Sequence, residues 1–289
     1  KLINSVKESD LILVVGARLG EMTTGGYTTI KPNQKNKIIH VYPDKKELGK
    51  VYKPIIGIKA NSSIFSKMIK DKKIKNIKWE RWSNSCRKNY IEYSTPPKYS
   101  SEPDMGKIML ILREYMPKNT IITIDAGNFS GWIQRFWKYT EVKTQLAPTS
   151  GAMGYSIPAA ISAKIAKKST PVIAFCGDGG FMMSSQELAT CHQYKIKPII
   201  VIINNKMLGT IRMHQEKHYP KRKIATDLVN PDFKVLSKSY NAHYENIKNH
   251  KQFLKALKRS IAANKAAVIE IEVDPQQITT RQKMKDLNQ

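Results

Sequence analysis

The amino-acid sequence predicts an α/β protein of two doubly wound parallel-sheet domains, the first of them incomplete. Three observations carry that expectation. Residues 171–176 (PVIAFC) and 198–203 (PIIVII) are short β-branched runs bounded by Pro and Gly, and SSQELATCHQY between them has helical character, so the three make a βαβ unit. Residues 10–16, 38–42 and 54–58 are three further short apolar runs with room for helices or loops between them. AAVIEIEVD at 266–274, preceded by the amphipathic FLKALKRSIAAN, supplies a closing strand.

Taken in order, the chain opens at Lys1 inside what reads as a helix, LINSVKESD, and is therefore expected to be part of a longer protein. Residues 1–75 read as the later part of a small α/β domain. Residues 76–104 turn basic and Pro-rich (STPPKYSSEPD) and read as a tether. Residues 105–289 form the second domain, which begins with the helically spaced MGKIMLILREYM and the strand IITIDAGN. A chain of 289 residues is long enough to give both domains a core of their own.

Composition excludes several classes. There is no apolar stretch of membrane-spanning length and no signal peptide, which predicts a cytoplasmic protein with no membrane partner. Cys86, Cys176 and Cys191 form no Cys-x-x-Cys pair and no disulfide framework; Cys176, at the end of a core strand, reads as a small buried hydrophobe. The net charge of +26 invites a nucleic-acid role, but the lysines are scattered, densest at 67–78, and no nucleic-acid-binding motif accompanies them. Solvated faces account for them, and no specific nucleic-acid partner is expected.

The chemistry concentrates in Cys176–Asn205. It sets Asp178 among Gly177, Gly179 and Gly180 at the end of one strand and an Asn pair at the end of the next. If the two strands are parallel neighbours, Asp178 and Asn205 share the carboxyl edge of the sheet, where open α/β folds bind ligands. A carboxylate, an amide oxygen and a nearby backbone carbonyl are hard donors that suit Mg²⁺, which keeps its other positions for water and substrate phosphate. The glycines let the backbone approach an anion, and the helix that follows offers its free N–H groups. Together these predict a site for a metal-bound diphosphate.

Gly-Asp-Gly, 24 intervening residues and Asn-Asn resemble the signature of thiamine-diphosphate enzymes. SGAMGYSIPAAISAK (150–164), GDGGFMMSSQELAT (177–190) and IINN with its downstream loop resemble the cofactor domain of the acetolactate synthase and 2-oxoacid decarboxylase group. VGARLGEMTTGGY and IIHVYPDKKELGKVY resemble part of that family's middle domain.

The resemblance implies Asp178, Asn205 and the carbonyl of Met207 as Mg²⁺ ligands. It makes Met153 the apolar wedge that holds the two cofactor rings folded together, and the carbonyl of Gly151 the acceptor for the aminopyrimidine amine, so that proximity replaces a strong external base. Asn128 is expected to meet the diphosphate, with Phe129 where relatives carry His. The backbone N–H groups of Leu208 and Gly209 are expected to approach the terminal phosphate. Lys206 stands where relatives often have Gly. The segment TIRMHQEKHYPKR (210–222) is expected as a loop over the cofactor, with Thr210, Ile211, Arg212 and His214 near substrate; Ile211 favours carboligation, because decarboxylases tend to carry an acid there. His214 and His218 lack the third ligand that a zinc site needs.

The resemblance further implies Mg²⁺-thiamine diphosphate as cofactor, a 2-oxoacid such as pyruvate as substrate, and decarboxylation followed by carboligation. The activating glutamate is expected on a separate N-terminal domain, so residues 1–289 alone are expected to be inactive and the intact protein to be a homodimer or homotetramer. The alternatives are a 2-oxoacid or acyl-CoA decarboxylase and, from another class, a non-catalytic nucleotide-binding module. Some relatives hold FAD or ADP in the middle domain, which makes Arg18 and Asp44 candidates, although GARLG lacks the full dinucleotide fingerprint.

Overall fold

A computed structural model of the chain describes residues 2–30 and 37–287; Lys1, with which the expected opening helix begins, lies outside them. The chain divides into two compact units, Lys1–Tyr93 and Ser94–Gln289.

The first unit is a three-stranded parallel sheet in the order β1 (Leu11–Val15), β2 (Lys37–Tyr42), β3 (Ile56–Lys59). Pro54 has no N–H to give a ladder, and the third strand starts two residues beyond it. Helices α1 (Leu2–Glu8), α2 (Glu21–Thr24), α3 (Ser62–Ile69) and α4 (Glu80–Tyr93) complete the unit. A small core of Val14, Leu19, Ile30, Ile38 and Tyr52 covers one sheet face, while Leu11, Leu13 and Ile56 stay exposed.

The second unit is a six-stranded sheet, all parallel, in the order β5-β4-β6-β7-β9-β8. The strands are β4 (Ile121–Ile124), β5 (Gln145–Leu146), β6 (Val172–Gly177), β7 (Ile199–Asn204), β8 (His243–Ile247) and β9 (Ala267–Glu272). Their residues alternate between two buried faces, which is why β6 and β7 read as unbroken apolar runs. Ile173, Phe175 and Val201 pack under α5 (Met105–Tyr115), α6 (Ser130–Phe136) and α12 (Phe253–Ala262). Ala174, Cys176, Ile200 and Ile202 pack under α7 (Ser156–Ala166), α8 (Asp178–Ser184), α9 (Leu188–Gln193) and α11 (Phe233–Ser239).

Two details locate the site. After β4 the chain crosses to β5 on one side and then to β6 on the other, so the strand order reverses between β4 and β6, and a crevice opens at their carboxyl ends. Gly177 of β6 pairs with Ile203 of β7, so Asp178 and Asn204 leave adjacent strands at the same level. The stretch from residue 209 is a helix, α10 (Gly209–His218), where a loop was expected. Arg212 and Glu216 stabilise it as an i,i+4 ion pair at 2.6 Å. No helix among the described residues is long and apolar enough to cross a membrane.

Phe175 is fully buried in the central strand of the larger sheet. Phe175→Ala should lower the unfolding free energy by about 3–5 kcal/mol, read from the urea midpoint.

Candidate functional site

Three strand tips build the site. Asp178, the first residue of α8, is 1% exposed. Its Oδ2 accepts a hydrogen bond from Asn230 Nδ2 at 2.8 Å. Burial pushes its carboxyl above the ordinary aspartate value, and hydrogen bonds from Asn230 and the N–H of Gly179 offset only part of that.

The tip of β7 turns through Asn205, whose Oδ1 accepts from the N–H of Met207 at 3.2 Å and keeps a second lone pair. Residues 206–208 then run antiparallel to 226–228, with Leu208 N–H donating to Thr226 O at 2.8 Å and Leu228 N–H to Lys206 O at 2.9 Å. Neither bond uses the carbonyl of Met207. The first does occupy the N–H of Leu208, which was expected to approach a phosphate and is instead committed to Thr226. Lys206 adopts φ +56°, a left-handed conformation that favours glycine.

The tip of β4 contributes Asp125, a buried acid that sequence reasoning passed over. Its Oδ1 accepts from Ser156 N–H at 2.5 Å and its Oδ2 from Gly154 N–H at 2.9 Å, which fixes the segment carrying Gly151 and Met153. Gly151 sits at φ +68° with open space about it. Gly180 lies against Asp125 so closely that a Cβ there would overlap Oδ2. Met153 reaches over the Gly-Asp-Gly turn, its Cε 3.3 Å from where a Cβ on Gly179 would stand. The Phe129 ring lies on Gly127 and Gly177.

These parts surround one cavity of about 250 Å³. Its wall includes Asn128, Gly151, Met153, Gly177, Asp178, Gly179, Gly180, Asn205, Met207, Leu208, Gly209, Thr210 and Ile211. Every residue expected to touch the cofactor or its metal is therefore at one place, and the donor set of carboxylate, amide and backbone oxygens fits Mg²⁺.

The outer residues behave differently. The backbone N–H of Asn128 donates to Thr210 Oγ1 at 2.9 Å, and its Nδ2 to Met213 Sδ at 3.4 Å, which turns the amide towards α10. Arg212, expected near a substrate carboxylate, is paired with Glu216, and neither it nor His214 is in the wall. The rings of His214 and His218 stack at 6.0 Å, and among the described residues no three His, Cys, Asp or Glu gather to hold a metal. In the first unit, Arg18 and Asp44 share a cleft with Tyr42 and Lys46; Arg18 Nε donates to Tyr42 OH at 2.9 Å, and Asp44 accepts from the N–H of Lys46.

Comparison with known proteins agrees with this geometry. Residues 125–271 match the family described as "Thiamine pyrophosphate enzyme, C-terminal TPP binding domain", and residues 2–69 match "Thiamine pyrophosphate enzyme, central domain". The chain is 33% identical over 286 residues to the probable acetolactate synthase large subunit of Methanocaldococcus jannaschii, covering 94% of this chain and 47% of that protein. It is 30% identical over 259 residues to the acetolactate synthase large subunit of Lactococcus lactis, covering 87% and 44%. With the Escherichia coli acetolactate synthase isozyme 2 large subunit it shares 26% over 275 residues, covering 93% and 49%. The chain spans about half the length of the curated relatives it matches.

Two substitutions test the local geometry by urea denaturation. Lys206→Gly should raise the unfolding free energy by about 0.5 kcal/mol, relief of the left-handed lysine being partly offset by the freedom of glycine in the unfolded chain. Gly180→Ala should lower it by about 1–3 kcal/mol by forcing Asp125 off its two N–H partners.

Proposed function

The chain belongs to the thiamine pyrophosphate enzyme family, and from that premise we propose that its second unit holds thiamine diphosphate through Mg²⁺ in an acetolactate-synthase-like carboligase acting on a 2-oxoacid such as pyruvate. The observation that carries this reading is the convergence of Gly151, Met153, Asp178, Asn205 and Met207, spread over 57 residues of sequence, on one cavity.

The Asp178 carboxylate, the Asn205 amide oxygen and the Met207 carbonyl would hold the ion, whose charge would offset the desolvation of the carboxylate and bind the diphosphate at the sheet edge. Met153 and Leu208 supply the apolar wall that limits how the organic part can lie, and the Gly151 carbonyl accepts the aminopyrimidine amine. Once bound, thiamine diphosphate supplies a carbon nucleophile and an electron sink for the loss of carbon dioxide from a 2-oxoacid. Ile211 sets an apolar side chain in the wall where an acid would supply a proton, which supports joining the reacting carbon to a second carbonyl over protonating it.

Among the described residues the acids of the wall are Asp178 and Asp274, and Asp178 would be engaged with the ion. The reading places the activating glutamate on another domain or subunit, in a dimer or tetramer. In the first unit the cleft at Arg18 and Asp44 is the candidate place for FAD or ADP.

Calorimetric titration should find thiamine diphosphate binding to the 289-residue chain with Mg²⁺ and losing it in EDTA. Asp178→Ala should weaken binding at least 100-fold with the circular dichroism spectrum unchanged; wild-type affinity in that variant would remove Asp178 from the ion. The chain alone should release no carbon dioxide from pyruvate, and turnover by it would overturn the need for an outside glutamate. The assembled enzyme should accumulate acetolactate, whereas free acetaldehyde would assign simple decarboxylation.

A further inference from the structure

Asn230 lies 52 residues from Asp178, in the segment before α11, and nothing in its own neighbourhood of sequence marks it as part of the site. An asparagine side-chain amide has two N–H hydrogens and, in this position, both acceptors lie within reach. Nδ2 is 2.8 Å from Asp178 Oδ2 and 3.1 Å from Asn204 Oδ1.

Asn204 is the first of the paired asparagines and its side chain is buried. Its Oδ1 also accepts from the N–H of Lys206 at 3.1 Å, and its Nδ2 donates to the buried Glu270 Oε1 at 2.6 Å. The other oxygen of Glu270 accepts from Tyr244 OH. An unbroken chain of hydrogen bonds thus runs from β8 and β9, through the tip of β7, to one oxygen of the carboxylate at the tip of β6.

We propose that Asn230 is a positioning residue that sets the rotamer of Asp178 for the divalent ion, braced from behind by Asn204 and Glu270. The contact engages Oδ2, and Asp178 itself lines the cavity. Because Asn204 also holds the N–H of Lys206, the same brace fixes the turn that carries Asn205 and Met207. The two proposed ion ligands just after β7 and the one just after β6 are thereby held in a single geometry before any ion arrives. Asn230 itself touches neither ion nor substrate. It acts on the ion through the carboxylate, as outer hydrogen-bond partners of metal ligands do.

The proposal rests on the ion-site reading above, and the test separates the two. Mn²⁺ binding to the full 289-residue chain is followed by electron paramagnetic resonance, with thiamine diphosphate present, alongside the melting temperature of the ion-free protein. Asn230→Ala should weaken Mn²⁺ binding about 10–100-fold. The ion-free melting temperature should change little, because the side chain is only partly buried. Weakened binding in Asn230→Ala, with binding absent in Asp178→Ala, supports the proposal. Wild-type affinity in Asn230→Ala with loss in Asp178→Ala overturns it while leaving the ion site standing. A fall in melting temperature without a change in affinity also overturns it, since the bonds would then serve the fold alone. If Asp178→Ala retains Mn²⁺, the ion-site reading itself fails and takes this one with it. Should Asn230→Ala not fold, Asn230→Ser serves instead, because it removes the amide that donates to Asp178 and Asn204 and leaves a small polar side chain in its place. Several-fold weaker binding is then expected, and unchanged affinity overturns the proposal.

Discussion

The parallel pairing of β6 with β7 is the constraint on which the rest of the site depends. Gly177 opposite Ile203 sets the strand tips level, so that Asp178 and the Asn204–Asn205 pair emerge side by side. A slip of one residue would turn every side chain of the moved strand to the other face. Both faces of these strands are buried, so such a slip would have to repack two cores together. The hydrophobic sheet therefore does more than stabilise the unit: it places a carboxylate and two oxygen donors at a spacing that loops alone would hold less firmly.

Burial sets the chemistry of those tips. Asp178 is removed from water and only partly compensated by amide and backbone donors, so its charged form is the costlier one. Asp125, equally buried, meets two backbone N–H groups and so serves as a clamp for the Gly151–Ser156 segment. Two aspartates at neighbouring strand tips thus take different tasks according to what surrounds them. Gly180 allows both, since any side chain at that position would press on Asp125.

How much of this was legible in the sequence follows from the range of the interactions. The runs at 171–176 and 198–203 are strands because their β-branched residues satisfy two buried faces, a property written in the chain itself. Asp178 and Asn205 were legible because Gly-Asp-Gly and Asn-Asn, with 24 residues between them, form a recognisable motif at two strand ends. Asp125 and Asn230 were not, since their partners lie 26 to 52 residues away and nothing local announces them; an acid ending a strand ahead of Gly127 was the available hint for the first. The helix Gly209–His218 was hidden for the opposite reason: its turns are mostly polar, and the Arg212–Glu216 pair that steadies it also withdraws Arg212 from the role assigned to it. The commitment of the Leu208 N–H depends on a strand-like pairing with Thr226 that no periodicity foretells.

The charge of the chain bears on the site in a limited but definite way. Cations exceed anions by 26, while the strands of the larger sheet bury only apolar and small polar side chains apart from Glu270. The excess therefore sits on the surface, where its field extends about 8–10 Å at physiological ionic strength. Thiamine diphosphate and 2-oxoacids are both anions, so a positive envelope favours their encounter with the protein without selecting between them. Selection falls to the cavity, whose wall brings together Asp178, Asn205, Met207 and Ile211. Lysine can thus vary widely over the surface of such a chain, whereas Asp178, Gly180 and Asn205 have no equivalent substitutes, because each is fixed by an atom-to-atom contact inside the sheet edge.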